Sequence, residues 1–270
     1  MEERSEFWRH PRFLDLGLLK ARFTRHRYDR HTHPTYVIAL ITEGCERIRI
    51  GNRDVVAPAG TVAVVNPEEW HDGEAGAEEG WAYRTFYPSV SLLTEVAREL
   101  GQDQEPFFSP TPIADDKLAQ ALTAAHQGAT SEDTVNAETS MLVALRHLIV
   151  GHGNWGEHPE QIEKSGSRRR LSLYEEVIVR DLASELGLQR LADAAGVTRF
   201  QVIRDFKKAA GLTPGAFIRD RRMRRARFLI EQGSSLADAA FEAGFSDQSH
   251  LSRTCRATHG MTPGMFKNTA

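Results

Sequence analysis

The chain has little cysteine and no long apolar run. Cys45 and Cys255 are its two cysteines in 270 residues, too few for a disulfide framework. They fall in segments of different pattern and charge, so free thiols are expected. No apolar stretch approaches the ~20 residues that a membrane-spanning helix needs. The opening "MEERSEFWRHPRF" lacks the apolar segment of a secretory signal, which gives the expectation of a cytoplasmic protein with no membrane partner. Apolar residues at 40% and charged residues at 26% are ordinary for a folded chain and argue against disorder. The length allows two domains, each with its own core.

The net charge of −3 conceals an asymmetry. Residues 1–167 hold 16 Lys and Arg against 26 Asp and Glu, whereas residues 168–270 hold 18 against 11. The C-terminal third is therefore the part suited to a polyanion.

That third contains a duplicated unit. With Gly196 and Gly244 in register, each copy reads Ala, three residues, Gly and an apolar residue: Ala192 to Val197, and Ala240 to Phe245. Each continues through a polar turn and an apolar helix to "G-x-T-P-G-x-F", at Gly211–Phe217 and Gly260–Phe266. The recurring "LADAA" is out of register by three residues; the Gly turn is what repeats. In the first copy Leu188, Leu191, Ala192 and Ala195 make one apolar face, and Val202, Ile203 and Phe206 make the next. In the second, Leu236, Ala239, Ala240 and Ala243 precede Leu251 and Cys255. Gly supplies the left-handed stop, and Thr198 or Ser246/Asp247 supplies the next N-cap. The spacing predicts helix, tight turn, helix at 188–209 and 235–258, joined by a connector helix at 215–232. Phe217, Met223, Ala226 and Ile230 would face inward on the connector, with arginines around the rest.

On those motifs residues 173–270 resemble the DNA-binding domain of the AraC/XylS family of bacterial transcription regulators, most closely along "AFEAGFSDQSHLSRTCRATHGMTPGMF". Cys255 departs from the resemblance, since the family commonly has Phe there. The resemblance implies double-stranded promoter DNA as partner, and RNA polymerase too if the protein activates. In a helix-turn-helix the second helix enters the major groove, its N-terminal side chains at the base edges. The candidate readers are Arg199, Phe200, Gln201 and Arg204, then Gln248, Ser249, His250 and Arg253. Lys207, Lys208, Arg256 and some connector arginines are candidates for phosphate.

Between residues 20 and 88 short apolar or alternating segments such as "TYVIALITEG" and "WAYRTFYP" are broken by Gly, Pro and Asn. They predict an all-β barrel or double-sheet jelly roll. The order His31, His33, Glu43-Gly44, Pro58–Gly60 and Asn66–His71 resembles the cupin-like sensor domain that many AraC-type regulators carry. A small-molecule effector is the expected ligand, lined by His31, His33, Tyr36, Glu43, Trp70, His71, Trp81 and Tyr83. The alternative is a metal-dependent cupin enzyme with an accessory nucleic-acid domain. It is disfavoured because Val37 and Ile38 stand where metal cupins place a Glu. No catalytic residue, metal or cofactor is therefore assigned. A regulator whose barrel only dimerises is the third reading.

Helical periodicity returns over 89–152, with stripes at Val90–Leu100 and at Ile113, Leu118, Leu122 and Ala125. Met141, Leu142, Leu145, Leu148 and Ile149 form a third stripe, whose spacing suits pairing in a homodimer near 138–152. The barrel and these helices make a domain over 1–153, and Gly-rich, polar 154–172 reads as the linker.

Overall fold

The computed structural model describes the chain apart from residues 1–2, 132, 157–165, 185 and 270. It forms two compact units, one of residues 1–27 and 32–158, the other of residues 28–31 and 159–270.

The strands are β1 (Arg4–Arg9), β2 (Leu16–Phe23), β3 (Arg27–His31), β4 (Val37–Ile50), β5 (Arg53–Pro58), β6 (Val62–Val65), β7 (His71–Ala75) and β8 (Trp81–Pro88). The sheet runs β1-β2-β8-β4-β7-β3, with β5 and β6 also paired to the long β4. β4 reaches both halves of the barrel because it pairs β6 and β8 along its first part and β5 and β7 along its last. A bulge between Ile41 and Glu43 bends it there. The strands start at Arg4 rather than near residue 20; "RSEFWR" pairs antiparallel with Leu16–Phe23 as an additional edge.

Alternation along β8 separates two layers. Phe86 joins Leu16, Leu18, Ile38, Leu40, Val62 and Val64 on the face that packs against helices. Trp81, Tyr83, Thr85 and Tyr87 fall on the other, inner face by the two-residue period. The helices are α1 (Val90–Glu99), α2 (Asp116–Gly128) and α3 (Thr134–His152). Ser89 and Asp115 cap the first two. The second oxygen of Asp115 lies 3.0 Å from Nε2 of both His147 and His152, which ties α2 to α3. Ile113 is not helical; it bridges Val62 as extended chain.

The α3 stripe is also corrected. Met141, Leu145, Leu148 and Ile149 are buried in this unit's own core. The apolar residues that α3 leaves open are Val135, Val143 and Val150.

In the C-terminal unit α4 (Gly166–Arg180) begins inside the span read as linker, and 157–165 lie outside the described residues. Then come α5 (Leu188–Ala195), α6 (Arg199–Ala210), α7 (Pro214–Glu231), α8 (Leu236–Glu242) and α9 (Gln248–His259). Gly196 and Gly244, at φ 62° and 83°, make the tight turns. Thr198 and Asp247 accept from the backbone N–H of Gln201 and His250 and so start α6 and α9. Thr213 caps α7 and Pro214 occupies its first turn, which is why "TPG" opens the connector. Phe217, Met223, Ala226 and Ile230 are buried as expected. Ile203 is not; it is 40% exposed on α6. Both cysteines are free.

Candidate nucleic-acid interface and effector site

On α6 the cap at Thr198 fixes which residues fill the first turn. Arg199, Phe200, Arg204, Lys207 and Lys208 are exposed, Phe200 at 73%. An aromatic ring left so open on a charged helix costs water contact unless something covers it. Gln201 is less free than the sequence implied. Its Nε2 donates to Asp205 Oδ1 at 2.8 Å, and its Oε1 accepts from Arg204 Nη2 at 2.7 Å.

Asp205 is the pivot of that arrangement. It is fully buried, and it accepts from Arg170 Nε and Nη2 at 2.6 and 2.7 Å and from the Tyr174 hydroxyl at 2.9 Å. Burial works to raise its pKa, but hydrogen bonds from Arg170, Gln201, Tyr174 and Ser167 outweigh it and hold the carboxyl below the usual range. A bidentate guanidinium–carboxylate pair sets orientation as well as distance. Through it α4 holds the first reading helix at a fixed rotation. The isolated motif gave no signal for this, because Arg170 stands 35 residues before Asp205.

On α9, Gln248, Ser249, Arg253 and Arg256 are exposed. His250 is half-buried, edge-on to Phe245 with ring centroids 5.1 Å apart, and its Nδ1 lies 3.2 Å from the Ser246 hydroxyl. Most connector arginines hold structure instead of facing outward. Arg221 pairs with Glu175 and Asp220 at 2.6 and 2.7 Å. Arg222 donates to the carbonyls of Leu182 and Ser184. Arg227 pairs with Glu231 at 2.9 Å. Arg219 and Arg225 remain exposed.

The short run His31-Thr32-His33 and the start of β7 bring His31, His33 and His71 together; one ring nitrogen from each lies within 4.8 Å of the others. Nδ1 of His31 donates to the Asp29 carbonyl at 2.7 Å, and Nδ1 of His71 to that of Glu69 at 3.0 Å. Those bonds leave Nε2 of each ring as the lone-pair donor. Burial pushes His31 down to about 4, so its ring is neutral at pH 7. Such a trio can hold a divalent ion or the polar end of a ligand. The inner face of β8 continues from it: His33 and Tyr87 ring centroids are 5.3 Å apart. Trp81 and Tyr83 stack 6.2 Å apart farther along, with Phe23 against both.

Trp81 Nε1 and Thr85 Oγ1 are buried with no hydrogen-bond partner among the described residues. Glu46 is buried too, and desolvation raises its carboxyl to about 8. Unsatisfied buried polar groups are few in folded proteins, and those of Trp81 and Thr85 stand on one face of β8. Thr85, Tyr87 and Glu46 were missed in the sequence reading, although alternation in "WAYRTFYP" and "ERIRI" places them on the inner faces.

Two residues assigned to this site stand elsewhere. Tyr36 lies in the sheet–helix core, its hydroxyl donating to Glu105 and to the Pro106 carbonyl at 3.0 and 2.6 Å. Glu43 is exposed beyond the β4 bulge and pairs with Arg22. Trp70 is half-buried, and its carbonyl accepts from the Gly51 N–H at 2.8 Å.

Paired helix-turn-helix units on one connector, with a separate β-barrel unit, define a DNA-binding regulator with its own sensor domain. The model of the AraC-like ligand binding domain matches residues 13–148, and that of a helix-turn-helix domain matches 191–269. The chain belongs to the AraC family of transcriptional regulators. It is 24% identical over 226 residues to an uncharacterised HTH-type regulator of Bacillus subtilis, YbfI, spanning 83% of this chain and 82% of that one. It is 22% identical over 236 residues to the Msm operon regulatory protein of Streptococcus mutans, spanning 86% and 84%. In fold it is similar to apo ToxT of Vibrio cholerae, with a TM-score of 0.55 at 12% identity over 94% of this chain and 98% of that one. Among the described residues no helix is long and apolar enough to cross a membrane.

Proposed function

We propose that α6 and α9 read promoter DNA and that an effector in the barrel interior sets how well they do so. The observation that carries this reading is the repeated cap–turn geometry, which leaves Arg199, Phe200 and Arg204 open on α6 and Gln248, Ser249 and Arg253 open on α9. Gln201 and Arg204 are preset by Asp205 to read as a unit, and Ile203 adds an apolar contact suited to a thymine methyl. His250 positions the start of α9, and Lys207, Lys208, Arg256, Arg219 and Arg225 meet phosphate. Arg253→Ala is expected to weaken specific binding by about 1–3 kcal/mol and relax preference at one base pair. Site selection from random DNA checks this, and an unchanged preference would remove Arg253 from the reading set.

The effector contacts His31, His33, His71, Trp81, Tyr83, Thr85 and Glu46. An effector changes DNA binding only by its differential affinity for two states of the protein. The protein works in the cytoplasm as a homodimer, a second copy covering the Val135, Val143 and Val150 face of α3, and as an activator it would also meet RNA polymerase. It is a regulator and not an enzyme. A second reading follows from the histidine trio, in which a divalent ion sits at His31, His33 and His71. Elemental analysis of the purified protein and of His71→Ala separates it from an organic effector alone.

A further inference from the structure

The sheet face that packs against the helices is covered only as far as Leu18 and Phe86. Beyond them the same strands carry charge. Arg4 lies directly opposite Arg22 across β1 and β2, and Lys20 directly opposite Arg84 across β2 and β8. Like charges facing each other across strands are destabilising, and here two such pairs adjoin on three neighbouring strands. They surround a concavity of about 250 Å³ that Glu6 and Glu43 also border. Buried Ala82 is among the residues that line it.

The charges are only partly answered. Glu43 takes Arg22 Nη1, while Arg22 Nε–H is buried with no hydrogen-bond partner among the described residues. Neither Arg4 nor Lys20 has an acidic partner within ion-pair distance among the described residues. Arg84 is fixed from below: its Nη1 meets His126 Nδ1 at 3.1 Å, and His126 Nε2 meets the Leu19 carbonyl at 3.2 Å. Burial, and then the charges of Arg84 and Lys20, push His126 down to about 4, so its ring is neutral and its Nδ1 accepts. The arrangement keeps a positive spot in a part of the chain where acids outnumber bases, 26 to 16 over residues 1–167.

We propose that this concavity is a second binding site, for a small metabolite carrying two or more carboxylate or phosphate groups, held by Arg4, Lys20, Arg22 and Arg84. Neighbouring strands lie ~4.8 Å apart, so cations on β1, β2 and β8 spread over about 10 Å. That span matches two anionic groups better than one. The four cationic side chains project by the two-residue period from the opposite face of β2 and β8 to the inner row of Trp81, Tyr83 and Thr85, although Tyr83 also borders the concavity.

Thermal melts and calorimetric titrations of the full chain with citrate and with pyrophosphate, at constant ionic strength in a phosphate-free buffer, test it. The expected result is saturable binding, about one per chain, with a rise in Tm that acetate does not give. Lys20→Gln and Arg4→Gln should each weaken that binding about tenfold, the scale of one charge-assisted hydrogen bond. Unliganded, Arg4→Gln should melt no lower than the parent, because it removes one member of a like-charge pair; Lys20 also stands directly opposite Glu6, so the response of Lys20→Gln is read against its own unliganded Tm. Arg98→Gln, which removes an exposed cation at the end of α1, should leave the response intact. The proposal falls if neither anion shifts Tm, or if Lys20→Gln and Arg4→Gln bind as the parent does. It also falls if the two variants weaken only binding of a duplex DNA fragment.

Discussion

Arg170→Ala is expected to lower the stability of the C-terminal unit by about 3 kcal/mol, the low end for breaking a buried ion pair from one side. Asp205 would keep its place with no exposure to water, and the Tyr174 hydroxyl and Gln201 amide alone cannot neutralise it. The low end applies because Arg170 is itself 29% exposed, so water already shares part of its charge. Urea unfolding at pH 7 reads the loss, and Lys208→Ala, on the exposed face of α6, should stay within about 0.5 kcal/mol. A specific change in DNA recognition should accompany it, since the Asp205 carboxylate loses the guanidinium that fixes it and so orients Gln201, and through it Arg204, less strictly. The pH dependence has a definite sign. Asp205 is held below the usual carboxylate range in the folded chain, so its contribution is present above the unfolded value of about 3.9 and is lost as pH falls below that. Arg170→Ala should therefore narrow the gap between stability at pH 7 and at pH 3. An unchanged urea midpoint would show that Asp205 is not the pivot of α6.

Glu46→Gln is expected to stabilise the unliganded N-terminal unit by a few kcal/mol at pH 8 and to do little at pH 4. Desolvation raises the Glu46 carboxyl to about 8 when folded, against about 4.3 in an unfolded chain. A group raised on folding gives stability that is complete below the unfolded value and is lost as pH rises to the folded one. The window is thus about pH 4 to 8, and the full loss would approach 1.36 kcal/mol per unit, roughly 5 kcal/mol, an upper bound for a group that water can reach in part. Thermal melts across that range check it: the parent should lose stability steadily where Glu46→Gln does not. Parallel pH profiles would mean that Glu46 ionises freely and is not a buried inner-face group. Retaining such a carboxyl at a cost in stability is consistent with a binding role.

The C-terminal unit was readable because its signals are local. Gly196 and Gly244 demand a left-handed backbone, Thr198 and Asp247 cap within three residues, and apolar spacing at the helical period picks the buried faces. Each of these acts over a few residues, so the sequence carries them whole. Ile203 escaped because its spacing fits the buried stripe at its edge, and only the packing of the neighbouring helices decides which edge is covered.

The barrel was readable in kind but less so in its site. Aromatics 81 and 83 share one face because strand alternation fixes it, whereas His31, His33 and His71 meet at strand ends and in the run between strands, which alternation does not place. Tyr36 and Glu43 went astray for two physical reasons. Tyr36 precedes β4 and turns toward the helices, where Glu105 and Pro106 satisfy its hydroxyl. The bulge at Ile41 and Glu43 breaks the period of two on which any face assignment rests.

Composition and short-range pattern by themselves determined the acidic N-terminal part and the basic C-terminal third, the duplicated turn, the helices that flank it and the inner face of β8. Tertiary structure alone decided which charges are answered. Arg170 reaches Asp205 across 35 residues, and Arg4 faces Arg22 across a strand pair. Coulomb and desolvation energies depend on distance in space and on burial, and neither is encoded in any local window of the chain.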